Sequence, residues 1–404
     1  MNILLVTDQY PPMVGGVPTV VHELAADLAG RGHHVEAAAP STTGRNGYCL
    51  QQNVHVHRFA SFEWLGYEGQ RISIWPLLPM RKLIRRFDPD VIHIHSPLVL
   101  GRLAQMLGRR WHIPIIATHH FLPVNMLPAL AAYPLVAEYA GQAAYAYLVG
   151  FYNRCTYTTA PTLTALNLLR THGLRTPSTA ISNGIDVRKF APGPRDPHLR
   201  QHLQLPQGQS LVLHVNRLSR EKRVEVVLRA IPQVRSAAHF VLAGAGPDEA
   251  RLRKLAEQLG IAQHVSFLGY VQDEDLLALL RESSVFIIAS EADLQSLSTM
   301  EAMACGLPVI AANACALPEL VHHHENGLLF SPGQSDELAR QLDTLLQDEE
   351  QRTRMGRASV EIIAAHNRDG ILAHWEKLYA RLAGEVHPLQ KAIPAQELPS
   401  FLSV

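Results

Sequence analysis

Short apolar, β-branched runs alternate with stretches of helical spacing along almost all of this chain, and the alternation stops once and starts again. Ile3–Thr7 reads as a strand, Val20–Arg31 as a helix with Gly32 at its end, and His34–Ala39 as the next strand. Val91–His95 and Ile115–Thr118 read as further parallel strands buried on both faces, and Thr156–Ala160 and Ser178–Ile181 continue the series. Met80–Phe87 is a short basic amphipathic helix. Ala191–Gly208 then breaks the rhythm with Pro, Gly, Gln and charge, a linker composition. Beyond it the predicted strands are Leu211–Val215, His239–Ala243, Val265–Leu268, Val285–Ala289 and Val309–Ala311. The predicted helices are Val224–Val234, Glu249–Leu259, Asp273–Arg281 and Ser298–Ala304, with Ser335–Leu346 and Asp369–Leu382 closing the chain. A chain that alternates in this way covers both faces of a parallel sheet with helices. Two such runs predict an α/β protein of two tandem Rossmann-like, doubly wound domains facing a cleft, where ligands of such sheets bind. The expected division is a first domain 1–190, a linker 191–208, a second domain 209–366, a helix 367–384 packing back on the first domain, and a loose tail 385–404.

Composition narrows the function classes. With 404 residues, 47% hydrophobic, the chain can fill two sizeable cores and is too apolar for disorder. Basic and acidic residues balance at 36 each, which disfavours nucleic acid as a partner. The charge is uneven: through Thr179 there are 14 Lys/Arg against 9 Asp/Glu, which fits either contact with something anionic or ordinary solvated faces. Cys49, Cys155, Cys305 and Cys315 have neither disulfide-framework nor zinc spacing. The opening MNILLVTDQYPP reads as a first strand and not a signal peptide, so a cytoplasmic protein is expected. Pro128, Pro134 and Glu138 interrupt the apolar stretch Val124–Gly150, arguing for a buried helix pair and against a membrane span.

Four segments carry chemistry. Gly15-Gly16 lies between the first strand and a helix, where glycine lets the backbone approach a phosphate and the helix offers free N–H groups; a plain tight turn has the same signature. Arg217 and Lys222 follow a predicted strand and precede a helix. Two cations there can embrace a diphosphate and stabilise the charge that grows as it leaves, or can be part of a basic surface face. Gly244 and Gly246, in AGAGP, form a second turn of the nucleotide-cradling kind. No GxGxxG follows the first strand, which disfavours a dehydrogenase. The most informative segment is SEADLQSLSTMEAMACGLPVI, a strand end, a polar loop, a helix and a Gly-Pro stop. Asp293 sits before the helix and Glu301 about one turn inside it, eight residues apart. The loop N–H groups between them can point at an anion, with one acid on sugar hydroxyls and the other on ribose.

Taken in order, GGVPTVV, NGIDVRKF, NRLSREK, AGAGP, D-x7-E within EAMACGLPVIA, and ENGLLF resemble the motifs of retaining glycosyltransferases of family 4, which have the GT-B architecture. The resemblance covers essentially residues 1–385 and implies a hexosyltransferase using a nucleotide-diphosphate sugar. It implies Gly15 and Gly16 beside the donor phosphates, Arg217 and Lys222 on the diphosphate, Asp293 on the donor sugar and Glu301 on the ribose. Leu294, Gln295, Ser296 and Leu297 would complete the donor loop. Asn183 and Gly184 match the hinge-side segment. His120, in IIATHHFLPVN, matches the family's histidine near the reacting sugar, with His119 the adjacent alternative. The first acid is Asp where the commonest pattern has Glu, and Gln295-Ser296 replaces Phe-Gly, which puts the donor sugar in question.

ATHHFLPVNMLP is also similar to lipid-directed members that glucosylate diacylglycerol. With the basic helix Met80–Phe87, this gives the expectation of a glucose donor such as UDP-glucose, a diacylglycerol or other lipid acceptor, and peripheral contact with an anionic membrane in glycolipid synthesis. The alternatives are transfer to a soluble sugar or polysaccharide precursor, a nucleotide-sugar epimerase, and a non-catalytic nucleotide-sugar binder. A glycoside hydrolase has no use for a phosphate cradle. No cofactor or metal is expected, because cations and helix dipoles can neutralise the phosphates. His93 and His95 read as a strand end and His322–His324 as a solvated loop.

Overall fold

The computed structural model describes residues 1–64, 70–123 and 134–390. Its first sheet is built from β1 (Asn2–Val6), β2 (His34–Pro40), β3 (Gly47–Gln51) and β4 (Val54–Phe59). The small hairpin β5 (Ser61–Glu63) and β6 (Arg71–Ser73) follows, and then β7 (Val91–Ile94), β8 (Ile115–Thr118), β9 (Tyr157–Ala160) and β10 (Ser178–Ala180). The second sheet holds β11 (Ser210–Val215), β12 (Ala238–Ala243), β13 (Val265–Gly269), β14 (Val285–Ile288), β15 (Val309–Ala312) and β16 (Gly327–Phe330).

Strand order is β10-β9-β8-β7-β1-β2-β4-β3 in the first sheet and β13-β12-β11-β14-β15-β16 in the second. Every pairing in these two sheets is parallel except β3 with β4. Each sheet therefore reverses its winding once, between β1 and β7 and between β11 and β14. At such a point the connecting helices leave to opposite faces and open a crevice beyond the strand ends. The central strands are sealed on both sides: Ile3, Leu4, Leu5, Val212, Leu213, Phe286 and Ile310 are at most 1% exposed. Burial of that kind selects continuous apolar runs, which is why these strands are legible in the sequence.

Several elements differ from expectation. The first helix begins at Gly16, four residues before its apolar stripe, with Gly15 as its N-cap. β3, β4, β5 and β6 lie where no strand is predicted, because they are short or only partly buried and β4 and β6 carry His or Arg. Helices Val99–Arg110, Leu163–Thr171 and Glu349–Ile363 are additions too. In the first of them, a Cβ on Gly101 would stand 1.9 Å from the carbonyl oxygen of Ser96, so glycine there permits close packing on the end of β7. Of the expected buried helix pair over Val124–Gly150, the described part is one helix, Pro134–Tyr152, on which Tyr139 is 71% exposed and, among the described side chains, Leu148, Val149, Phe151 and Tyr152 are buried. Val124–Tyr133, including much of the lipid-like stretch, and the tail beyond Gln390 lie outside the described residues.

The closing helix, Arg368–Gln390, returns to the first sheet. Leu372, Trp375, Leu378, Tyr379 and Leu382 join Ile3, Leu5 and Ile116 in one apolar core, and the Tyr379 hydroxyl hydrogen-bonds His93 Nδ1 at 2.8 Å. No helix among the described residues is long and apolar enough to cross a membrane.

Candidate active site

Both crevices face the same space. From the second sheet, β14 leads through a loop to the helix Leu297–Ala304, whose N-cap Ser296 accepts from Thr299 N. Lys222 reaches this loop from the segment after β11 and donates to Asp293 Oδ1 at 2.6 Å, both side chains being nearly buried at 13% and 12%. The other carboxylate oxygen, Asp293 Oδ2, is buried without a hydrogen-bond partner. A buried carboxylate with one oxygen unspent is costly unless something arrives to use it. The Arg217 N–H donates to its neighbour Asn216 Oδ1 at 2.9 Å, which shapes the turn before the 3-10 segment Arg220–Lys222.

Gly244 and Gly246 serve this turn from below. A Cβ on Gly244 would stand 1.9 Å from the Asn216 carbonyl oxygen, and one on Gly246 would stand 2.2 Å from that of Leu218. Leu218 N donates to Ala245 O and Asp248 N to Leu218 O, each at 3.0 Å. The structure thus gives these glycines a scaffold role: they let two loops touch backbone to backbone, and so fix the segment carrying Arg217 and Lys222.

Glu301 is half-buried one turn into the helix Leu297–Ala304. Burial pushes its carboxyl up to about 7. Glu23 and Asp273 act in the same direction, and Lys189 and Arg368 act against it. Asp273 opens an Asp-x-Asp triplet, yet it is paired with Lys189 at 2.5 Å, and among the described residues no three His, Cys, Asp or Glu converge as a metal cluster.

From the first sheet, Gly15 and Gly16 lie at the N-terminus of the first helix, and a Cβ on Gly16 would meet Leu297 across the cleft at 3.8 Å. His119 and His120 point apart. His119 is fully buried and meets the Tyr152 hydroxyl at 3.2 Å. His120 lines a small cavity with Asn183, Ser182, Arg368, Glu23 and Trp375. Its Nε2 lies 3.1 Å from His95 Nδ1, with the two rings stacked, and burial lowers its pKa to about 4. His120 is therefore the neutral imidazole at physiological pH and a hydrogen-bonding group to the cleft, not a cation.

The two sides are also bonded to one another. Gln295 accepts from Asn183 N at 2.8 Å, Leu294 O accepts from Thr162 Oγ1 at 2.9 Å, and Glu319 accepts from Leu163 N and Thr164 N at 3.1 and 2.6 Å. Sequence reading missed His95, Ser182, Thr162 and Glu319. For His95 a signal existed, since His93 and His95 alternate on one strand directly before the cleft; the others are ordinary polar residues with no spacing to mark them.

The glycosyltransferase family 4 sequence pattern matches residues 14–189, and that of glycosyl transferases group 1 matches residues 196–361. The chain belongs to glycosyltransferase family 4. It is 26% identical to N-acetyl-alpha-D-glucosaminyl L-malate synthase of Bacillus anthracis, over 91% of this chain and 94% of that one. It is 27% identical to alpha-monoglucosyldiacylglycerol synthase of Streptococcus pneumoniae (82% and 75%). It is 29% identical to a GDP-mannose-dependent alpha-mannosyltransferase of Mycolicibacterium smegmatis (82% and 84%). Sucrose-phosphate synthase from Thermosynechococcus elongatus superposes with a TM-score of 0.80 at 21% identity, covering 95% of this chain and all of that one. The two sheets and the cleft are thus the GT-B fold, and this family 4 member is a glycosyltransferase with a nucleotide-sugar donor. The names of these relatives include glucosyl, N-acetylglucosaminyl and mannosyl enzymes.

Proposed function

We propose that this glycosyltransferase moves a hexose, with glucose favoured, from a nucleotide-diphosphate sugar to a hydroxyl of diacylglycerol or a related lipid, with retention of configuration. The observation that carries the donor half is the Lys222–Asp293 pair with its unspent carboxylate oxygen, at the switch point of the second sheet. In this reading Lys222, Arg217 and the N–H groups at the start of the helix Leu297–Ala304 take the diphosphate. Gly15 and Gly16 admit it closely from the other side. Asp293 holds sugar hydroxyls, Glu301 the ribose, and neutral His120 orients the sugar.

The acceptor hydroxyl attacks the anomeric carbon on the face from which the diphosphate departs. The carbon–oxygen bond to phosphate breaks, and the leaving phosphate oxygen takes the acceptor's proton. Cations and helix N–H groups supply the neutralisation, so no metal is needed. EDTA is expected to leave the rate unchanged.

The acceptor half rests on the surface beside the first domain's hairpin. Trp75 is 91% exposed and held at φ 50°, a backbone conformation that bulky residues seldom adopt. Leu78 is 72% exposed, with Phe62, Trp64, Ile74 and Leu77 also open to solvent. Arg81, Lys82 and Arg85 are exposed on the adjoining helix Leu77–Phe87, whereas Arg86 is held by Glu36. Apolar groups beside cations suit the headgroup layer of an anionic bilayer, and each cation there contributes about 1 kcal/mol. The chain's likeness to a diacylglycerol-directed enzyme of Streptococcus pneumoniae supports the same acceptor.

Purified protein, given a panel of nucleotide sugars with and without diacylglycerol vesicles, tests both halves. Release of nucleotide diphosphate from one donor only when lipid is present is expected. Release that ignores lipid and responds to a soluble acceptor would replace the acceptor, in line with the malate-directed relative. Tight binding with no release from any donor would replace the enzyme reading with that of a nucleotide-sugar binder.

A further inference from the structure

The loop that carries Asp293 is held to the first domain chiefly by one side chain. Gln295 is half-buried, and its amide is used on every side by residues of the first domain. Its Oε1 accepts from Asn183 N at 2.8 Å, and its Nε2 donates to Ser182 Oγ at 3.0 Å and to Pro161 O at 3.3 Å. Ser182 Oγ in turn meets His366 Nδ1 at 2.8 Å and accepts from Gly184 N at 3.2 Å. His366 and Asn367 belong to the crossing where the chain returns to the first domain: Ile185 N donates to His366 O at 2.9 Å, and Arg368 N to Ile185 O at 3.0 Å. Gln295 thus ties the Asp293 loop to the point about which the two domains are joined.

The neighbours of Gln295 reinforce the tie through one hydrogen bond, from Thr162 Oγ1 to Leu294 O at 2.9 Å, and through apolar packing. Ala292 and Leu294 pack in an apolar cluster with Leu122, Ala160, Ala165 and Leu166. These contacts tolerate sliding. Three directed hydrogen bonds to one planar amide do not, because each loses its strength within a few tenths of an ångström and tens of degrees. The amide is satisfied only when the loop and the Ser182–Asn183 backbone stand in this one arrangement.

We infer that Gln295 is a positioning residue that couples closure of the two domains to the placement of Asp293 against the donor. The inference rests on the glycosyltransferase reading of the cleft. With the tie made, Asp293 and the Lys222 bonded to it are held toward Asn183 and His120, and water is kept from the donor. With the tie lost, the loop keeps its internal Lys222–Asp293 bond and the single Thr162–Leu294 bond, which do not by themselves hold its register with the first domain. The donor still binds, is transferred slowly, and is lost to water more often. A residue two positions from the sugar-facing acid in this way sets the partition between transfer and hydrolysis.

The test compares the full-length wild type with Gln295→Met, which keeps length and volume but makes no hydrogen bond, and with Gln295→Glu, which keeps only the acceptor for Asn183 N. Nucleotide diphosphate release is measured with and without acceptor using the donor that the panel selects, and solution scattering is measured on the same ligand-free proteins. Gln295→Met is expected to lower kcat for transfer by about 100-fold with donor KM changed by less than about threefold. It should also raise the share of donor hydrolysed and the radius of gyration at an unchanged melting temperature, with Gln295→Glu intermediate. A wild-type partition and a wild-type scattering profile for Gln295→Met would overturn the inference. If wild type turns over no donor, the function reading fails by itself, and the scattering comparison still decides on the tie.

Discussion

Lys222 and Asp293 are bonded at 2.6 Å, yet their assigned partners are different parts of the donor. The pair explains itself if the lysine is shared: it holds the carboxylate in place and remains at the edge of the diphosphate as charge develops there. Lys222→Ala then removes a charge from the leaving group and frees a nearly buried acid. A loss of at least about 100-fold in kcat is expected, and near-normal turnover in a stopped assay would remove Lys222 from the mechanism. Glu301 gives a pH dependence with a definite sign. Its carboxyl is raised to about 7 by burial beside Glu23, so the free enzyme is largely protonated at pH 6 and ionised at pH 8. Ribose hydroxyls donate to the ionised form, so donor KM should fall as pH rises through 7, and Glu301→Gln should abolish that trend. His120 stays neutral throughout, its pKa lowered to about 4, and contributes no limb to kcat between pH 6 and 8. At this scale the charged and glycine positions were legible, because phosphate and sugar chemistry limits the residue types that serve. It did not reveal Ser182 or Glu319, whose importance lies only in where the fold puts them.

The elements are legible where burial is symmetrical. β1, β7, β8, β11, β12, β14 and β15 stand out as largely apolar runs because they are buried on both of their faces. β3 to β6 are not legible because they are short or only partly buried, and polar groups such as His57, paired with Glu36 at 2.8 Å, interrupt their apolar positions. The first helix was placed four residues late because its opening turn has glycines in place of an apolar stripe. Gly244 shows how an element's end can depend on a missing side chain. At φ 137°, with no space before the Asn216 carbonyl, Gly244→Ala must push apart the loops after β11 and β12. A destabilisation of about 3 kcal/mol is expected, seen as a lowered melting temperature and a weakened nucleotide diphosphate in calorimetry. The exposed Trp75–Leu78 segment belongs to the same scale. Trp75→Ala with Leu78→Ala should reduce co-sedimentation with anionic vesicles several-fold and leave turnover of detergent-dispersed acceptor unchanged. Equal sedimentation of the variant and wild type would remove the membrane surface from the account.

The whole molecule is two sheets that each reverse once, set so that the reversals face one another. The closing helix crosses back to bury Trp375 and Tyr379 against the first sheet, and Arg368 on it meets Glu23 at 2.6 Å beside the cleft. This arrangement followed from the doubled β-α rhythm and the linker between its halves. The contacts across the cleft did not, since they join residues more than a hundred positions apart that no local pattern relates. The central claim is that this cleft transfers a hexose and does not merely bind or hydrolyse a nucleotide sugar. Proton NMR of the reaction, followed in time with the selected donor and a dispersed diacylglycerol acceptor, tests it most directly. The account predicts a new anomeric signal from glycosylated acceptor, with the configuration of the donor. A spectrum in which the donor persists, or yields only free sugar with every acceptor offered, would contradict it.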